Sequence, residues 1–303
     1  MYKNLLQAIG NTPIIALNSD SPATLLAKLE YLNPGGSVKD RSALFMIEQA
    51  ERDGHLKPGA TIIDASSGNQ GAATAMIGAI KGYNVIITVS EKISSEKLDS
   101  ITSYGAKIVV CPATDHLEDP RSYHSKAVEI QKNTPGSFMP NQYFNKNNSL
   151  GHYTSLGPEL WNQTEGTITH IFAAAGTGGH ISGAGKYLKE KNPNVKIIAF
   201  DSSNSWRSTN GHPQPYKVEG MGIDFESPVL EKDLIDEIIP IHDADALAML
   251  KTLAHKHGLL VGPSSGAVAH GAFTYAKNLK PNDVAVMIFG DSGRAYLSKK
   301  FYK

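Results

Sequence analysis

Short apolar runs rich in β-branched residues recur along the chain at 61–64, 84–89, 106–111, 170–175, 195–200 and 284–289. Continuous runs of this kind read as strands buried on both faces, which is how parallel sheets are built. Between them lie segments with helical spacing: 42–52, 70–81, 94–104, 121–132, 183–191 and 244–257. Strand and helix in alternation predict an α/β fold with mostly parallel sheets. At 303 residues the chain exceeds what one core fills efficiently, so two lobes are expected. Two stretches, 141–151 and 202–215, are poor in apolar periodicity and rich in turn formers. The first is expected to carry the chain between lobes, and the second to be a mobile surface loop.

Composition narrows the function classes. Lys+Arg and Asp+Glu both total 29, so no net field attracts a polyanion or an anionic membrane, and nucleic acid is not an expected partner. No apolar run reaches the roughly 18 residues of a membrane span, and Met1 to Gly10 lacks the apolar stretch and cleavage site of a signal peptide. The single cysteine, Cys111, excludes an internal disulfide and fits a reducing, cytoplasmic setting. It ends an apolar run, where a buried inert thiol is expected. Eleven histidines include no His-Glu-x-x-His pattern, and no metal site is expected.

Four motifs carry chemistry. In Asn33-Pro-Gly-Gly-Ser-Val-Lys39-Asp-Arg41, turn formers bring the chain round to a lysine just before a helix. Held there, an amine whose pKa falls on burial becomes an imine former; the bland alternative is a solvated charge. Ala65-Ser-Ser-Gly-Asn-Gln-Gly71 joins a strand to an Ala-rich helix, and reads either as a carboxylate site at a helix N-terminus or as a plain N-cap. Gly176-Thr-Gly-Gly-His180 has the glycines of a phosphate cup, but Ile181 breaks the dinucleotide pattern and Ala184 stands where a P-loop needs lysine. Gly262-Pro-Ser-Ser-Gly266 is a further hydroxyl-rich helix start.

In order and wording these motifs resemble the fold-type II pyridoxal phosphate enzymes that include cysteine synthase and cystathionine β-synthase. The resemblance runs from Ile9-Gly-Asn-Thr-Pro13 to Asp291-Ser-Gly-Arg-Ala-Tyr-Leu-Ser298. It implies an architecture similar to the tryptophan synthase β chain, with a larger lobe (1–41 and 149–303) that binds the cofactor phosphate. A smaller mobile lobe, 42–148, would carry the carboxylate loop. Lys39 would hold pyridoxal 5′-phosphate as a Schiff base, Asn69 would meet the ring's phenolic oxygen, and Gly176, Thr177, Gly178, Gly179 and His180 would cradle the phosphate. Ser264 would face the pyridine nitrogen. Ser66, Ser67, Gln70, Gln142 and Gly220 would bind the amino-acid substrate.

The activity implied is replacement at the β carbon of serine or an activated serine such as O-acetylserine, through an aminoacrylate. A thiol or sulfide would enter, giving cystathionine or cysteine, and a homodimer is expected. Ser90-Glu-Lys-Ile-Ser-Ser-Glu-Lys97 and Val218-Glu-Gly-Met-Gly-Ile-Asp-Phe225 look closer to cystathionine β-synthase. Ile223 stands where those enzymes often carry tyrosine, and Gln70 and His180 replace threonines; Gln70 would enlarge the side chain at the carboxylate loop and so alter the preferred amino acid. Neither a haem-binding extension nor a regulatory module is expected. The alternatives are a dehydratase or racemase of the same fold, or a catalytically weak module that binds the cofactor or docks on a partner.

Overall fold

The computed structural model describes residues 1–114 and 117–303. Two sheets organise it. The larger has six strands in the order β1 (Ile14–Ala16), β2 (Thr24–Leu29), β9 (Val284–Phe289), β6 (His170–Ala174), β7 (Lys196–Ser202) and β8 (Glu237–Ile241). Only the β1–β2 pair is antiparallel. The smaller sheet pairs β3 (Thr61–Ala65), β4 (Asn84–Ser90) and β5 (Lys107–Cys111) in parallel.

Every residue of β6 is buried, as a central parallel strand with helices on both faces requires. One core lies on the face of the larger sheet where Phe172 and Phe200 stack, beneath α8 (Asp243–His257) and α9 (Pro263–Tyr275). The opposite face packs Ile171, Ile197 and Val286 against α6 (Leu156–Gln163) and α7 (Gly179–Lys191). The smaller sheet is covered by α2 (Asn69–Lys81), α3 (Ser95–Ser103) and α4 (Tyr123–Lys132). Helices α1 (Lys39–Arg52) and α5 (Asn147–Thr154) pack together between the two sheets' helical layers.

All six expected strands form, but β1, β2 and β8 were not anticipated. Strand β2, Thr-Leu-Leu-Ala-Lys-Leu, has no run of β-branched residues; register with β9 and burial of Lys28 against a carboxylate override its weak propensity. Two loop readings need correction. The stretch 141–151 already contains the first turns of α5. The stretch 202–215 is pinned to the body by Arg207, whose side chain is 6% exposed and donates to the carbonyls of Ala175 and Gly176.

Loops leaving the carboxyl ends of β3, β6 and β9 converge on one crevice, which is where open parallel sheets place their ligands.

Candidate active site

The crevice encloses a cavity of about 320 Å³. Lys39, Ser66, Ser67, Asn69 and Gln70 line one part of its wall. Gln142, Gly176, Thr177 and Gly220 line another, so most of the residues singled out in the sequence share one space. Gly178, Gly179 and His180 lie just behind, at the start of α7. Ser264, second residue of α9, places its hydroxyl 3.1 Å from where a Cβ on Gly220 would stand.

Lys39 opens α1 after a turn that the sequence enforces. Gly36 has φ +85°, a left-handed conformation that glycine adopts without strain, and its N–H donates to the Asn33 carbonyl at 2.8 Å. The Gly35 N–H donates to Asp40 Oδ2 at 2.6 Å, an approach that a Cβ at 35, 2.5 Å from Asp40 Oδ1, would block. The Lys39 amine has no carboxylate within ion-pair distance among the described residues. Burial pushes its pKa below the ordinary lysine value of 10.5; Asp291 opposes the shift and Lys97 reinforces it.

The 65–71 loop is tied down from both sides. The Ser66 hydroxyl accepts from the Gly68 N–H at 3.3 Å, and the Ser67 hydroxyl accepts from the Ser90 N–H on β4. Helix α2 starts at Asn69 behind an extended Gly68 that supplies no side-chain cap, so its first N–H groups remain free to donate. Gln70 corrects an expectation: its side chain does not enlarge the loop outward. It is 1% exposed and turns inward, donating to Thr74 Oγ1 at 3.3 Å. Thr74 in turn donates to Asp64 at 2.7 Å, whose carboxyl burial pushes up to about 6.

The 176–180 turn is built as a cup. Gly178 has φ +88°, and a Cβ there would come within 2.5 Å of Leu230. Helix α7 likewise lacks a side-chain N-cap. Arg207 takes the Ala175 carbonyl at 3.0 Å and the Gly176 carbonyl at 2.7 Å, and the Gly179 N–H donates to the Thr177 hydroxyl at 3.3 Å. His180 offers no positive charge: burial, with Lys39 nearby, pushes it down to about 3. Its ring meets that of His152 edge-on at 6.1 Å.

Sequence reasoning missed several residues. Lys97, 4% exposed, pairs with Glu219 at 2.5 Å and lies 4.1 Å from the centre of the Tyr296 ring. Tyr216 donates to Asp224 at 3.1 Å, and Tyr143 packs edge-on against Phe225. Lys97, Asp224 and Asp291 all lie in stretches quoted for their resemblance, but nothing local marks Lys97 or Asp291, because Glu219 and Asn69 come from distant parts of the chain. Arg207 sat in a segment without apolar periodicity. No group of three or more metal-ligating side chains occurs among the described residues, and no described helix is long and apolar enough to cross a membrane.

Comparison with known proteins gives a consistent picture. The profile of the family described as pyridoxal-phosphate dependent enzyme matches residues 5–291. Cystathionine beta-synthase of Apis mellifera is 43% identical over 98% of this chain and 60% of its own length. Cysteine synthase of Staphylococcus aureus (strain Mu50 / ATCC 700699) is 40% identical over 99% of this chain and 96% of its own. The crystal structure of an O-acetylserine dependent cystathionine beta-synthase from Helicobacter pylori matches with a TM-score of 0.93 at 34% identity, covering 100% of this chain and 99% of that one. The chain therefore spans three fifths of the Apis relative and nearly all of the other two.

Proposed function

The chain belongs to the pyridoxal-phosphate dependent enzyme family, and on that premise we propose that it replaces the β substituent of serine or an activated serine with a thiol or sulfide, giving cystathionine or cysteine. The observation that carries this reading is Lys39, a cavity-lining amine driven toward neutrality with no ion-pair partner among the described residues.

The residues present fit the cofactor. Lys39 would attach its aldehyde. The N-terminus of α7, without a side-chain N-cap, would hold its phosphate on backbone amides, in a turn whose packing against Leu230 only glycine at 178 allows. Asn69 would meet the ring oxygen, and the neutral Ser264 hydroxyl would face the ring nitrogen. When bound, the cofactor supplies an electron sink for the pair released at the substrate's α carbon, a modest one opposite a serine rather than an aspartate.

The substrate carboxylate lies on the first amides of α2 with Ser66, Ser67 and Gln142. Gln70 contributes its backbone N–H, since its carboxamide is engaged with Thr74. Lys39 would take the α proton at Nζ and return it at the end, a task that needs the neutral amine its surroundings favour. Residues 42–148 act as the smaller lobe and close the cleft against water. Supporting this, Lys97 reaches Glu219, and Glu96 accepts from the Ser298 N–H at 2.6 Å, across the two sides. Tyr143, Tyr216, Asp224 and Phe225 line the same cavity.

The test is turnover by purified, cofactor-loaded protein. Serine with homocysteine yields a thioether, or O-acetylserine with sulfide yields cysteine, under this reading. Formation of neither refutes it, and keto acid as the main product from serine assigns the chain to dehydration instead.

A further inference from the structure

Asp291 follows β9 and bonds two residues of the cavity wall, Asn69 and Tyr296, and the reaction as described leaves it without a task. It is 3% exposed. Its Oδ2 accepts from Asn69 Nδ2 at 2.7 Å and from the Tyr296 hydroxyl at 2.5 Å. Its Oδ1 is buried without a partner, 1.9 Å from where a Cβ on Gly262 would stand, so the main chain at 262 makes room for the carboxylate. An unpartnered buried oxygen is costly and calls for an explanation. Packing does not supply one, because an apolar side chain would fill the same space without that cost.

The bond to Asn69 does supply one. Asn69 comes from the small-sheet side, 222 residues away in sequence, and its side chain faces the cavity. A carboxamide nitrogen carries two hydrogens in a fixed plane. With one hydrogen committed to Asp291, the plane cannot spin and the second hydrogen has a fixed direction. Tyr296 and Gly262 fix the carboxylate in turn. We propose that Asp291 is the positioning residue for Asn69: by accepting one amide hydrogen it aims the other at the oxygen on the cofactor ring. The assignment rests on the reading of Lys39 as the attachment point. Asp291 touches neither substrate nor cofactor in this scheme, and its aim on the ring oxygen runs through Asn69.

The test compares cofactor-loaded wild type with Asp291→Asn, Asp291→Leu, Asn69→Ala and the Asn69→Ala/Asp291→Leu double variant, reading the visible absorption band and the cofactor dissociation constant. Asparagine and leucine both remove the charge at similar size, but only asparagine keeps an acceptor oxygen. The proposal expects Asp291→Leu to move the band in the same direction as Asn69→Ala and to weaken the cofactor about fivefold, the scale of one hydrogen bond. Asp291→Asn stays near wild type, and the double variant goes no further than Asn69→Ala alone. Should Asp291→Leu fail to fold, Asp291→Ala takes its place with the same expected band. Coincident asparagine and leucine variants, or additive effects in the double variant, overturn the proposal while leaving Lys39 in place. A wild type that never develops a visible band overturns the Lys39 reading itself, and this proposal with it.

Discussion

Lys39 and Arg41 stand in the same first turn of α1, both removed from bulk water, and their surroundings treat them in opposite ways. Arg41 is bonded by both carboxylates within reach: Nε to Glu30 at 2.6 Å, Nη1 to Glu159 at 2.6 Å, and Nη2 to both at 2.8 and 2.7 Å. Lys28 adds a second cation to Glu159 at 2.7 Å, and Thr12 and Asn33 complete the shell of Glu30. Burial works against the Arg41 charge, but Glu30 and Glu159 more than offset it, and its pKa rises. At Lys39 no carboxylate stands within ion-pair distance among the described residues; burial outweighs the more distant Asp291, Lys97 adds to it, and the pKa falls. Pairing, rather than burial, separates a cation that holds a structure from one that can react. The network also steadies the reactive one, since Asn33, bonded to Glu30, is where the turn into Lys39 begins.

The comparison can be broken by exchanging the two fates. The largest expected effect is on chemistry: Lys39→Ala lowers turnover by about a thousandfold or more, the scale of a lost general base, while circular dichroism stays that of the wild type. Next is Arg41→Met, which leaves Glu30 buried and unpaired; urea unfolding should show a loss of about 3–5 kcal/mol. Lys39→Met, measured by the same method on cofactor-free protein, should go the other way and stabilise by about 1 kcal/mol, because an unpaired amine leaves an enclosed site. A loss of stability in Lys39→Met comparable to that of Arg41→Met would erase the distinction.

The smallest effect is on pH dependence. Arg41 and Lys28 outweigh burial at Glu159 and hold its carboxyl at about 2, below the ordinary 4.5. A depressed folded-state pKa contributes stability that is present above the unfolded value and lost as pH falls toward the folded one. Stability should therefore decline between about 4.5 and about 2, and Glu159→Gln should flatten that slope in acid titrations followed by fluorescence. An unchanged slope would mean that the network titrates elsewhere.

How much of this could be read from the chain depended on whether the determining contacts were local. The strand at 84–90 and the turn into Lys39 are written in consecutive residues, through the β-branched run Val85-Ile-Ile-Thr-Val89 and through Gly35 and Gly36, and both form as expected. Strand β2 was hidden because its lysine looks solvent-facing until Glu159, 131 residues on, neutralises it. The orientation of Gln70 was hidden for a related reason: it lines the cavity, but Thr74 takes its carboxamide into the core. Asp291 and Arg207 bond partners that no local pattern foretells, the Asn69 amide 222 residues away and the carbonyls of Ala175 and Gly176.

The central claim is that the amine at position 39 is the one the fold has made reactive. Borohydride reduction of the cofactor-loaded protein, followed by peptide mass mapping, tests it most directly. The account predicts one phosphopyridoxyl adduct, on the peptide containing Lys39 and on that residue. An adduct on Lys97, the other lysine lining the cavity, or a fully loaded protein with no fixed adduct, would contradict it.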